Sequence, residues 1–383
     1  MMACVRRLGA VEPLSVAIVG VGALLLAFPV ILAIGRGLLN SGYADLAVYQ
    51  GAVEVWAAGA SPYGRAYVDD LLFVYPPSAL VVLAPLALVS TEVGGVLLVL
   101  VGSGLTVGLV RLCHPVLPPR WLLAVTAGYL MMEPWASTFA NGQISVVLTA
   151  LVAVAALRAP RSSGWLIGVA AAVKVYPGAY AFIDVVRGRR TSLRGLLLAP
   201  AALLALAVVG QPGLMADWLD QQLTLGTQPV RVEDRAVNQS WRGLLDMRWG
   251  ADELPWLGVA VALVVLACLA AVMAVRQDDT RAALAAISLG VVLAAPVAWT
   301  HYWVFLPVLA ATVSTRRTAT EVCHAAAVTT LLASAALAIP FRVEAWPWHY
   351  AFVLLGTLSL VTLALTLRDR GRRGAAPVAA RTT

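Results

Sequence analysis

Residues 14–52 read LSVAIVGVGALLLAFPVILAIGRGLLNSGYADLAVYQGA, and two unlike pieces meet within them. The first is an apolar run of about 20 residues, the length at which an α-helix crosses a hydrocarbon core about 30 Å thick. The second opens with Asp45 and predicts a helix from about Tyr43 to Ala58, in which positions 45, 48, 49, 52 and 56 share one face. Asp45 and Tyr49 therefore lie together on that face at the rim of an apolar slab. Unpaired N–H groups and the helix dipole favour an ionised carboxylate there. Asp45 is then either a helix cap or a general base whose other contacts offset the lowered basicity.

Composition settles the setting. Of the residues, 61% are hydrophobic and 12% charged, against about 25% charged in soluble domains. An all-α polytopic membrane protein follows, with further apolar runs near 78–110, 121–139, 142–158, 163–186, 195–212, 256–275, 282–299, 302–314, 319–340 and 348–367. The first run lacks a small-residue cleavage site and reads as an uncleaved span. Cys4, Cys113, Cys268 and Cys323 have no paired spacing, so neither a disulfide framework nor a zinc site is indicated. The net charge of +7 gathers in short connections between runs, which points to topology and not to nucleic acid.

Arg6 and Arg7, the cluster of Arg187, Arg189, Arg190 and Arg194, the pair Arg316 and Arg317, and the basic tail from Arg368 all place their connections on the cytoplasmic side. Length favours a hairpin in 78–110 and a single helix in 163–186, whereas charge favours the reverse. Following charge gives about twelve spans with both termini inside. It also puts Asn141 to Gln143 on the same outer face as Asp45. The expectation is one membrane domain over 1–383, with outer loops near 35–77 and 211–255 and a cytoplasmic tail at 368–383.

The polar residues of that outer face carry the candidate chemistry. In GVAAAVKVYPGAY (168–180) Pro177 breaks the helix and leaves Lys174 near the apex of a re-entrant pair, and an ionisable residue within the bilayer is a functional candidate. Tyr75 precedes Pro76 and Pro77, a stiff re-entry into the membrane or simply a helix start with an interfacial tyrosine. Tyr63 in SPYG is turn chemistry with an aromatic face for a sugar, while Asp69 and Asp70 read as a solvated loop. In EPWASTFANGQISVVL (133–148) the amides of Asn141 and Gln143 suit sugar hydroxyls, or else mark a tight Asn-Gly reversal. Glu133 is a buried acid held by its neighbours or a further site residue.

Asn238, Gln239, Trp241 and Arg242 lie in a loop rich in amides, arginines and tryptophans. Arg242 is a candidate phosphate ligand there, against the alternative of an amphipathic surface segment. His301, with Trp299 and Trp303 around it, ends a later run as either an interfacial histidine or a titratable site group. Together these residues describe an outer pocket for transfer of a sugar from a lipid phosphate. Asp-x-Asp and a phosphate-binding glycine loop are both missing from the sequence, which speaks against a nucleotide-sugar donor. The GSGLTVG stretch (102–108) belongs to an apolar helix, where small residues serve close helix packing.

Six motifs in order, YADLAVYQGA with SPYG, FVYPPSALVVLAPLALV, NGQISVVL, GVAAAVKVYPG, NQSWRGLL and PVAWTHYWVFLP, span about residues 43 to 307. As a set they resemble the actinobacterial polyprenol-phosphate-dependent glycosyltransferases of family eighty-seven, membrane enzymes of the GT-C fold. The resemblance implies a polyprenol phosphate mannose donor, a phosphatidylinositol mannoside acceptor, and inverting formation of an α-1,2-mannoside outside the cytoplasmic membrane. It maps the family's catalytic aspartate onto Asp45 and a later histidine onto His301. Many relatives carry two adjacent histidines there, whereas this chain has His301-Tyr302, so the role of the second does not carry over. Lys174 and Arg242 would stabilise the leaving phosphate. Tyr49, Tyr63, Tyr75, Asn141, Gln143, Asn238, Gln239 and Trp299 would contact sugar or lipid. No metal or other cofactor is expected. Two alternatives remain: an arabinose donor on the same fold, and a transporter, which would need a matching broken helix in each half.

Overall fold

Breaks inside apolar runs shape the architecture seen in a computed structural model of the chain, which describes residues 13–227, 238–249, 253–314, 318–342 and 348–374. Arg6, Arg7, Arg316, Arg317, much of the amide-rich loop before Asn238 and the end of the basic tail lie outside the described residues. The helices are α1 (Pro13–Arg36), α2 (Ala44–Ala57), α3 (Ser78–Leu83), α4 (Thr91–Cys113), α5 (Pro119–Leu130), α6 (Glu133–Ala140), α7 (Ser145–Leu157), α8 (Ser163–Val173) and α9 (Ala181–Val186). They continue as α10 (Arg190–Val208), α11 (Leu214–Thr227), α12 (Trp241–Trp249), α13 (Glu253–Arg276), α14 (Thr280–Ala294), α15 (Leu306–Ala310), α16 (Ala319–Leu337), α17 (Ile339–Arg342) and α18 (Ala351–Gly374). A small antiparallel hairpin, β1 (Ala66–Val68) with β2 (Leu71–Leu72), interrupts the helical pattern between α2 and α3.

Among the described residues six helices are long and apolar enough to cross a membrane, or up to seven if the bent pair α6 and α7 counts as one span. Their outward faces are apolar, as with Leu24, Phe28 and Ile31 on α1 and Val261 and Leu269 on α13, the pattern of helices that face lipid. The chain is an all-α polytopic membrane protein. Four shorter apolar helices, Ser78–Leu88, Trp121–Leu130, Ser163–Val173 and Thr280–Ala294, accompany the long ones.

The predicted breaks occur where local chemistry places them. Helix α8 stops at Val173, Lys174 is extended, and Pro177 starts a 3₁₀ turn over Tyr176–Tyr180. Asn141 to Gln143 form the apex between α6 and α7, which are bent by 120°. Two other runs depart from expectation. The 78–110 run divides, because Ser90 accepts a hydrogen bond from Val93 N and starts α4 as its cap. The 302–314 run, expected to cross by itself, holds only the five-residue α15. At 1.5 Å per residue such a helix rises about 8 Å, far short of the bilayer core.

Close packing draws the broken pieces together. Gly102 on α4 sits against Phe139 of α6, where a Cβ would come within 2.6 Å of the ring. Gly104, two residues on, faces open space. The small-residue stretch thus packs through Gly102 and presents Gly104 to the surroundings. Overpacking costs about 1–3 kcal/mol or more, so Gly102→Leu should lower the thermal midpoint in detergent by several degrees while Gly104→Leu leaves it nearly unchanged.

Candidate active site

The start of α2 is held by the apex between α6 and α7. The first turn of a helix leaves its N–H groups unpaired, and here Asp45 N and Leu46 N both donate to the Asn141 carbonyl, at 3.0 and 3.3 Å. The residue in the cap position is Tyr43, with no side-chain cap bond. Asp45 lies one residue inside the helix, and its carboxylate is free of the capping role that sequence left open. Gly142 makes the approach feasible: it adopts φ +68°, and a Cβ there would sit 2.7 Å from Leu46 Cβ.

Gln143, next along the apex, joins three elements. Its Oε1 accepts from Tyr49 Oη at 2.8 Å and from Lys174 Nζ at 3.1 Å. The Gln143 side chain also lies close enough to the Asp45 carboxylate to favour its charged form. With both lone pairs of the oxygen taken, the N–H₂ end of the amide is the part that serves Asp45. Tyr49 spends its proton on Gln143, so at the 2.9 Å contact between the hydroxyls Tyr75 donates to Tyr49.

Lys174, 3% exposed, sits between two rings, its Nζ 5.1 Å from the Tyr75 centroid and 4.7 Å from the Tyr302 centroid. Aromatic faces stabilise a desolvated cation. The Tyr302 ring in turn packs on Tyr176 with centroids 5.5 Å apart and on His301 at 4.9 Å. His301 is buried, its Nε2 has no hydrogen-bond partner among the described residues, and its ring lies within reach of the Lys174 charge. The turn Thr300–Trp303 that carries it packs against α6, which brings His301 to the side of the apex. Asp45, outside the candidate spans, has its pKa raised by burial; the Gln143 side chain and the Lys174 charge pull the other way without cancelling the shift.

Asp45, Tyr49, Tyr75, Gln143, Lys174 and His301 thus form one cluster around Tyr302. Tyr302 and Tyr176 were missed from sequence; the available signal was their position beside His301 and just after Lys174. Other candidates lie elsewhere. Tyr63 reaches the cluster only at its edge, donating to the Tyr75 carbonyl at 3.0 Å. The Asn141 side chain donates to Ser137 O, so the contribution of Asn141 is its carbonyl. Asn238, expected on a sugar, is fully buried and holds Pro296 O and Ala298 N. Gln239, also buried, donates to His349 O, while its backbone N–H bonds Ala298 O. Asn238 spends both ends of its amide on main chain and Gln239 its N–H₂ end, and the bonds to Pro296 and Ala298 tie this segment to the one leading to His301. Trp299 is partly buried and heads the His301 turn, accepting from Tyr302 N at 2.9 Å. Arg242 packs over the Trp256 ring of α13 at 5.3 Å, a different neighbour from the rings around Lys174. Among the described residues no group of three or more His, Cys, Asp or Glu is placed to hold a metal.

A buried cation between tyrosines beside a basic carboxylate suits displacement of an anionic leaving group, and the family of the chain agrees with that chemistry. The model of glycosyltransferase family 87 matches residues 73–300. This chain belongs to glycosyltransferase family 87. The matched region contains Tyr75, Gln143, Lys174 and Arg242, and stops one residue short of His301. The chain is 32% identical over 312 residues to a polyprenol-phosphate-mannose-dependent α-(1-2)-phosphatidylinositol mannoside mannosyltransferase of Mycolicibacterium smegmatis, covering 70% of this chain and 69% of that one. It is 30% identical over 286 residues to a polyprenol-phosphate-mannose-dependent α-(1-2)-phosphatidylinositol pentamannoside mannosyltransferase of Mycobacterium tuberculosis, covering 70% of this chain and 65% of that one. The chain therefore spans about two thirds of the length of these curated relatives. No solved structure is significantly similar to it.

In this member of family 87 the Asn141–Gln143 apex should be intolerant of change. Gly142→Ala adds a Cβ to a left-handed backbone and into Leu46, and should cost about 1–3 kcal/mol in unfolding free energy. Gln143→Ala leaves Tyr49 and Lys174 without their shared acceptor and should cost about as much. Thermal unfolding of the purified variants checks both.

Proposed function

We propose that this protein transfers mannose from polyprenol phosphate mannose to a phosphatidylinositol mannoside acceptor, with inversion, forming an α-1,2-mannoside on the outer face of the cytoplasmic membrane. The observation that carries this reading is the pairing of Asp45 with buried Lys174 through one side chain, Gln143. A base and an anion-stabilising cation are the two groups that displacement of a lipid phosphate requires. The donor and acceptor named for the similar mycobacterial proteins support mannose over arabinose. We read the architecture as a single GT-C domain. Six long helices, the bent pair and four shorter apolar helices support this reading.

In this mechanism the Asp45 carboxylate takes the proton of the acceptor hydroxyl as that oxygen attacks the anomeric carbon of the donor. The bond from that carbon to the phosphate oxygen breaks, and its electron pair leaves with polyprenyl phosphate. Lys174 lies where that charge grows, and a cation held in place in a water-poor site stabilises it without reorganisation. The free Nε2 of His301 is a second contact for the phosphate, and Arg242 a more remote one. Tyr49, Tyr75 and Gln143 hold the base and the cation in register.

Transfer from polyprenol phosphate mannose by the purified protein, run beside decaprenyl-phosphate arabinose, tests the reading. Asp45→Asn should bind donor but lose about 10²–10⁴-fold in kcat, and equal turnover by variant and wild type would remove Asp45 from catalysis. Lys174→Gln should lose about 10²–10³-fold in kcat/KM. The pH profile provides a further check. Burial raises the Asp45 pKa above its ordinary 3.8, and the ionised form is the active base. Activity is therefore full above that raised value and falls as pH drops through it, so the acid limb of kcat/KM lies above pH 3.8.

A further inference from the structure

A cavity of about 510 Å³ opens between α11 and the loop that carries β1 and β2. Helix α11 is clamped to that loop by side chains. Buried Gln221 donates to Phe73 O at 2.9 Å and accepts from Gly64 N at 2.7 Å. Trp218 Nε1 and Gln222 Nε2 both donate to Val74 O at 3.2 Å. The cavity is the space beside this clamp, and its volume falls within the range of about 300–1,000 Å³ usual for small-molecule sites.

Its lining has a definite chemistry. Asp217, Asp220, Gln221 and Thr224 contribute from one face of α11, at the i, i+3, i+4 and i+7 positions of a helix. Ser61 and Tyr63 face them from the loop, and the buried Ser61 hydroxyl has no hydrogen-bond partner among the described residues. Among the described residues no lysine or arginine lines the space, and the Asp217 and Asp220 carboxylates would repel an anionic phosphate. Carboxylates that accept from paired hydroxyls, an amide, small hydroxyls and one aromatic face are the groups that hold a neutral sugar.

The cavity adjoins the cluster around Lys174. The Tyr63 ring lies 5.9 Å from Phe73, Phe73 lies edge-on 5.5 Å from Tyr75, and Tyr75 is one of the two rings around Lys174. We propose that this cavity binds the non-reacting sugars of the glycolipid acceptor, a neutral oligosaccharide headgroup, and thereby selects acceptors by glycan length. The assignment rests on the mannosyl-transfer reading above. Asp217 and Asp220 are the specificity-determining residues.

The experiment compares the full chain with the double variant Asp217→Ala/Asp220→Ala, using phosphatidylinositol dimannoside and phosphatidylinositol pentamannoside as acceptors. The kcat/KM for the longer acceptor should fall at least about tenfold, the loss expected for charge-assisted hydrogen bonds, and the shorter acceptor should lose much less. Asp217→Asn/Asp220→Asn, which keeps acceptor oxygens, should recover part of the preference. An equal loss for both acceptors, or no loss, overturns the proposal. So does a wild-type rate that requires added Mg²⁺ or Ca²⁺ and loses that requirement in the double variant, because the carboxylates would then be holding a cation. Saturation-transfer NMR with α-1,2-mannotriose separates the two readings. If the wild type binds the trisaccharide and the double variant does not, the subsite stands even where no mannose is transferred from the donor; no transfer of saturation in the wild type overturns it.

Discussion

One amide oxygen organises the candidate site. Oε1 of Gln143 accepts from a tyrosine of α2 and from the lysine at the end of α8, and the side chain of the same residue serves Asp45. A buried ammonium without an acceptor, and a tyrosine hydroxyl without one, would each cost more than the bond between them and Gln143 is worth. The apex of α6 and α7, the start of α2 and the break after α8 are therefore held in register by the cost of separating them.

The broken helices acquire their purpose from this constraint. Non-helical backbone at membrane depth persists where protein covers it and its polar groups find partners. At the first break the Asn141 carbonyl is covered by the N–H groups of Asp45 and Leu46. At the second, Lys174 N stays bonded to Ala170 O while the side chain turns to Gln143. The first break is stabilised by the start of α2 and the second by Gln143 of the first, so the polar interior forms only when these elements meet.

Around this centre the protein keeps acid and cation apart by one side chain. Direct contact would pair them as a salt bridge and lower the basicity of the carboxylate. Spacing them through an amide leaves Asp45 with a raised pKa by burial and leaves Lys174 held by the Gln143 oxygen and two ring faces. Tyr302, beside His301, supplies one of those faces. In this chain the residue after the histidine is thus part of the cation's wall.

Sequence by itself determined the local features: an all-α membrane chain, the helix opening at Asp45, the break that exposes Lys174, the reversal at Asn141–Gln143. Each depends on near neighbours, on proline, glycine or apolar periodicity, and the observed α2 (Ala44–Ala57) departs from expectation by one residue at each end. The choice among alternatives for each side chain needed the tertiary structure. Asn238 has the same chemistry as Gln143, yet packing spends it on main chain and places Gln143 between an acid and a cation. The 302–314 run is apolar enough to suggest a crossing, and only its folding into a turn and a short helix shows otherwise. Composition records which groups a chain has to offer, whereas the partners of a buried polar group are set by elements that lie far apart in the chain and meet only in the fold.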